Sequence, residues 1–181
     1  MKKALVVAAI AAAAMSVGFA APANAATTAT TTTTFTINAG LLSITAPATA
    51  NLGTFSAGTN ASAQLGAVTV TDTRGVLLGT WTATAQTTSF TTGGGTPAET
   101  VPAANVTYWS GLATATTGVG VFTPGQATAI LAVPIATAAT AYSATAVTGN
   151  NTATWNPTVV IAIPAAAVAG TYTGTITHSV A

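Results

Sequence analysis

From Gly170 to Val180 the chain alternates strictly with a period of two. Tyr172, Gly174, Ile176, His178 and Val180 fall in one phase; Thr171, Thr173, Thr175, Thr177 and Ser179 fall in the other. That period belongs to the β-strand, whose successive side chains point to opposite faces. An α-helix would scatter the same apolar residues around its circumference. Thr and Val favour extended backbone further, because branching at Cβ stiffens the side chain. The pattern recurs where Val68 and Val70 alternate with Thr69 and Thr71, and where Trp81, Ala83 and Ala85 alternate with Thr80, Thr82 and Thr84. Phe35 and Ile37 flank Thr36, and Leu42 and Ile44 carry the pattern on after Gly40 until Pro47 closes it. Residues 106–109 and 127–133 are further strand candidates, and 158–163 form a β-branched run ending at Pro164. Residues 51–58 are turn-rich, 91–102 read as a long Gly/Pro loop, and 165–168 have room for one helical turn before Gly170. Short strands parted by turn signals predict an all-β fold, an immunoglobulin-like β-sandwich, with a barrel as the alternative. Neither an internal repeat nor a second domain is visible.

The first residues follow a different logic. Lys2 and Lys3 make a short positive start, residues 5–14 are an apolar run, and Ala23-Asn24-Ala25 presents small residues where a signal peptidase reads. These three parts together predict a secretory signal cleaved after Ala25. A retained anchor is the competing reading, but the apolar run is short for a span. The expected organisation is a signal peptide over 1–25, a Thr/Ala-rich arm over 26–34 and a β domain over 35–181, with the mature protein outside the membrane.

Cleavage has an electrostatic consequence. Lys2 and Lys3 leave, so the net charge passes from +1 to about −1, carried by Asp72, Arg74 and Glu99. A single Arg cannot neutralise a phosphate backbone, which argues against nucleic acid as a partner. The chain has no cysteine, so disulfides and thiolate metal sites are excluded. Hydroxyl groups must solvate the surface in place of charges, and such surfaces tend to associate.

The same scarcity limits chemistry. His178 is the single histidine, and Asp72 and Glu99 are the only side-chain carboxylates. A triad, a carboxylate pair or a zinc site would each have to draw on these groups. No catalytic residue, metal or cofactor is expected, and His178 reads as a partly buried or rim residue. Asp72, Arg74 and Gly75 read as a structural turn with an Asx-type hydrogen bond and a local ion pair. Gly93-Gly94-Gly95 lacks the Lys and following helix of a phosphate loop. The aromatic residues are the remaining binding candidates, because their faces stack on sugar C–H surfaces. Trp81 and Tyr172 read first as core pieces. Trp155, set between Thr154 and Asn156, is the better candidate for exposure, and Trp109 beside Tyr108 places one ring on each face of its strand.

Two segments resemble the WxL cell-surface domain of Gram-positive bacteria. Val68-Thr69-Val70-Thr71-Asp72-Thr73-Arg74-Gly75 followed by Gly79-Thr80-Trp81-Thr82-Ala83 is similar to that family's strand, Asp-x-Arg-Gly turn and Trp-x-Leu strand, with Ala83 in place of Leu. Tyr172, Ile176 and Thr177 match its C-terminal segment, where His178 replaces Trp and Val180 replaces Leu. The resemblance implies a non-covalent, wall-associated surface protein acting through peptidoglycan. Trp81, Trp109, Trp155, Tyr172 and His178 are the candidate binding residues. The second expectation is a self-associating structural subunit of a surface layer or appendage, its Thr-rich arm adding a strand to a neighbour.

Overall fold

Alternation becomes strand only where a partner strand lies alongside, and the computed structural model shows which segments find one. It describes residues 28–181; the expected signal segment 1–25 lies outside the described residues. Residues 37–181 form one compact unit. Taken by themselves, residues 28–36 are exposed at every position and carry no strand.

The strands in chain order are β1 (Leu42–Thr45), β2 (Asn60–Gln64), β3 (Val68–Asp72), β4 (Gly79–Thr87), β5 (Phe90–Thr91), β6 (Thr100–Val101), β7 (Val106–Trp109), β8 (Ala113–Pro124), β9 (Val133–Pro134), β10 (Ala139–Trp155), β11 (Thr158–Ala162) and β12 (Ile176–Val180). Among the described residues the fold is all-β, the only helical pieces being short 3-10 turns at Pro97–Glu99, Ala103–Asn105 and Ala129–Leu131.

The 17-residue β10 organises the larger sheet. Its first half pairs with β4, placing Ala144 opposite Trp81, and its second half pairs with β3, placing Asn151 opposite Asp72. β12 then lies outside β4, and β1 outside β3. β8 runs antiparallel along the other edge of β10, from Pro124 opposite Tyr142 to Ala113 opposite Trp155. The pairing is broken by register shifts, and Gly118 sits at one of them with φ +83°. A Cβ there would strike the Asn150 carbonyl oxygen and come within 2.8 Å of the Asn151 Cβ. Only glycine permits that approach. A second sheet has the order β2-β11-β7-β9, and β5 with β6 makes a small ribbon.

One apolar cluster joins the two sheets. Val70, Trp81 and Trp155 come to it from the larger sheet, and Tyr108, Val159 and Ile161 from the smaller. Each such side chain, fully buried, contributes about 1.5–3 kcal/mol through the water it leaves. Alternation explains this partition: in β3 and β4, Val68, Val70, Trp81, Ala83 and Ala85 are buried while Thr82 faces out.

Several segments depart from the sequence reading. Phe35 and Ile37 carry a strand pattern but lie in no strand, and the first strand opens at Leu42. Residues 127–133 hold a 3-10 turn and the start of the two-residue β9 rather than a strand. The 91–102 stretch is structured, since Phe90 and Thr91 pair with Val101 and Thr100. Residues 165–168 hold a hydrogen-bonded turn, Ala167 N donating to Pro164 O at 3.0 Å, and no helix. The final alternation is continuous strand only over β12, with Thr173 joined to Thr91 by an isolated bridge.

Candidate functional site

The turn after β3 is built around a buried carboxylate. Asp72 Oδ1 accepts from Arg74 N at 3.0 Å and from Arg74 Nε at 2.9 Å, and its Oδ2 accepts from Arg74 Nη2 at 2.9 Å. The bidentate guanidinium suits a planar carboxylate. Arg74 Nη2 also donates to the Thr80 carbonyl at 2.9 Å, clasping the start of β4. Gly75 follows at φ +65°, a backbone conformation that favours glycine. Asn151 of β10 extends the network inward: its Nδ2 donates to Asp72 Oδ2 at 3.3 Å, and its Oδ1 accepts from Trp81 Nε1 at 3.0 Å. Arg74 holds the Asp72 carboxyl below the usual carboxylate range, outweighing the opposing effect of burial. Asp72 and Trp81 are therefore buried components of one strand junction.

A second chain of hydrogen bonds crosses the core. Trp155 Nε1 donates to Tyr108 Oη at 3.1 Å, and Tyr108 Oη lies 3.3 Å from His178 Nε2. With its oxygen already accepting from the indole, the hydroxyl proton is placed to reach Nε2, which requires a neutral imidazole protonated on Nδ1. Burial favours the same form, lowering the His178 pKa to about 4, and it raises that of the Tyr108 phenol. Tyr142 stacks on Trp155 at a centroid separation of 4.9 Å.

The two carboxylates and the histidine thus sit in separate settings: Asp72 against Arg74 and Asn151, His178 against Tyr108, and Glu99 against Thr96, whose N and Oγ1 donate to Glu99 Oε2 at 3.0 and 2.8 Å. His178 bonds to neither carboxylate, so the three do not make a triad.

Among the described residues, a broader and a smaller cleft open on the surface. The broader, about 1010 Å³, runs between residues 50–57 and 167–174, with Phe55, Phe90 and Tyr172 among its walls and no charged residue lining it. Tyr172 is fixed there because its Oη donates towards the carbonyls of Val168 at 2.9 Å and Ala98 at 3.1 Å. Gly174 gives Phe90 its place, since a Cβ there would meet the ring at 2.7 Å. The smaller cleft, about 380 Å³, has His178, Leu65 and Ala46 in its walls.

The five aromatic and histidine candidates therefore separate. Tyr172 reaches the broad cleft and His178 the small one. Trp155, expected at the surface, is fully buried, as is Trp81, and neither offers a face to a ligand. The polar neighbours of Trp155 misled because they occupy the alternate strand phase. Trp109 is half-buried on β7, on the opposite phase from buried Tyr108. Phe55 and Asn151 were missed: Phe55 stands in a turn-rich stretch without periodicity, and Asn151 follows Asn150 with nothing local to tell which one turns inward.

No family model matches the chain, and no curated protein or solved structure matches it either.

Proposed function

We propose that this is a secreted, non-catalytic cell-surface protein that associates non-covalently with the bacterial wall, holding peptidoglycan in the broad cleft. The observation that carries the reading is the cleft's lining, in which Phe55, Phe90 and Tyr172 stand among Ala, Thr and Gly and no charged group is present. A glycan offers C–H faces to aromatic rings and hydroxyl and acetamido groups to threonines and backbone amides. The signal-like start supports export, and the WxL-like segments support the wall as destination. Two sheets joined by one core are the layering of a β-sandwich, and an immunoglobulin-like type is the finer assignment proposed here.

The test is co-sedimentation of the mature chain, residues 26–181, with isolated sacculi. Wild type is expected to pellet, and Phe55→Ala, at a position 41% exposed, is expected to bind about tenfold more weakly. A chain that stays in the supernatant, or a Phe55→Ala variant that pellets like wild type, rejects the cleft as the wall site.

A further inference from the structure

The longest exposed strand has one bare edge. β8 pairs with β10 and with no other strand among the described residues. Residues 114–119 are exposed without interruption. Exposed sheet edges are ordinarily protected by charge, by proline inside the strand or by brevity. β8 is 12 residues long, its proline stands at the very end, and it carries no charged side chain. Its glycine bulge interrupts the ladder to β10 and leaves a run on each side. Val119 and Val121 stand on one face at 67% and 58% exposure.

The arm, taken on through Phe35 and Ile37 to Ala39, has the complementary deficiency. Residues 28–39 alternate or repeat Thr with Ala, Phe35 and Ile37, contain neither charge nor proline, and lie in no strand. Phe35 and Ile37 are 84% and 81% exposed. These residues have the pattern of a strand and lack only a ladder. Fully extended, they span about 40 Å, the length of a strand such as β8.

We infer that β8 accepts residues 28–39 of a second copy of this chain as an added strand, so that copies join edge to edge. Phe35 and Ile37 are spaced as Val119 and Val121 are. In the parallel register Phe35 lies beside Val119 and Ile37 beside Val121, while the Thr run lies beside the Thr-rich first half of β8. The main-chain ladder supplies affinity and the paired apolar side chains fix register. The arm joins the larger sheet at β1, which lies across β3 and β10 from β8. Gly40 N is bonded to the Thr73 carbonyl just past β3, and β3, β10 and β8 lie between that point and the outer edge of β8, so Ala39 of the same chain cannot stand beside β8, whereas a second copy brings the strand edge-on. Each copy then has one donor and one acceptor, the head-to-tail arrangement that grows into chains. The inference does not depend on the cleft.

Sedimentation velocity on the mature chain over a rising concentration series tests it. Wild type is expected to form a ladder of oligomers. Two variants at exposed positions are compared with it: Phe35→Asp/Ile37→Asp, which spoils the donor, and Val119→Lys/Val121→Lys, which spoils the acceptor. Each alone is expected to remain monomeric, with its buried tryptophan emission unchanged as the check on folding. Mixed together they are expected to form a dimer that grows no further, because one intact arm meets one intact edge. A wild type that remains monomeric throughout, variants that assemble as it does, or a mixture that stays monomeric would each overturn the inference.

Discussion

Trp81 and Trp155 both bury an indole and both give their N–H to a side-chain oxygen, yet the two sites respond to protons in different ways. The Trp81 acceptor is Asn151, which leads to the Asp72–Arg74 ion pair. The Trp155 acceptor is Tyr108, which leads to a neutral His178 beside the smaller cleft. The first network keeps a charge in the interior because the guanidinium neutralises it, with 30% of the Arg74 side chain still reaching water. The second excludes charge altogether. A buried indole N–H needs an acceptor, but whether that acceptor is ultimately ionic or neutral determines how the site tolerates truncation and acid.

The largest effect is expected of Asp72→Ala. It strips the partner from Arg74 and leaves the Asn151 amide short of an acceptor, at an expected loss of about 4 kcal/mol. Urea unfolding followed by tryptophan emission measures it, and a loss below about 1 kcal/mol would mean the network is not structural.

Acid probes the other site. The folded chain holds His178 at a pKa of about 4, below an unfolded value of about 6.5. The unfolded chain therefore binds the proton first as pH falls. The stability conferred by keeping His178 neutral is fully present above about pH 6.5 and is lost as pH descends towards 4. About 2 kcal/mol should disappear between pH 7 and pH 5, before carboxylates titrate appreciably. His178→Phe should flatten that slope. A wild type equally stable at both pH values would place His178 in water.

The smallest expected effect is Tyr108→Phe. It keeps the ring but leaves the Trp155 N–H without an acceptor, for about 1.5 kcal/mol. The same unfolding experiment reads it, and no measurable change would show that the indole finds another acceptor.

What was readable in the sequence follows from the range of each interaction. β3, β4, β7 and β11 were legible because each has one face in the core and writes that fact locally as alternation or as a β-branched run. The turn at Asp72 and Arg74 was legible too, since its hydrogen bonds span two residues. β8 and β10 were not. β8 is solvated almost throughout, so Thr and Gly replace any apolar phase. β10 passes between strands on both edges and shifts register against β4 and β8, which breaks its period.

Local pattern alone was enough to read an all-β fold, a scarcity of ionisable groups, and the alternation that turns Val and Ala inward and Thr outward along β3 and β4. Backbone preference and side-chain period are local, so a linear reading captures them. Long-range packing is what buries Trp155, connects Asp72 to Trp81 through Asn151, keeps His178 neutral, and leaves Phe35 and Ile37 with the pattern of a strand but no partner. Each of those depends on groups far apart in the chain meeting in space, and a strand exists only when another strand completes its hydrogen bonds.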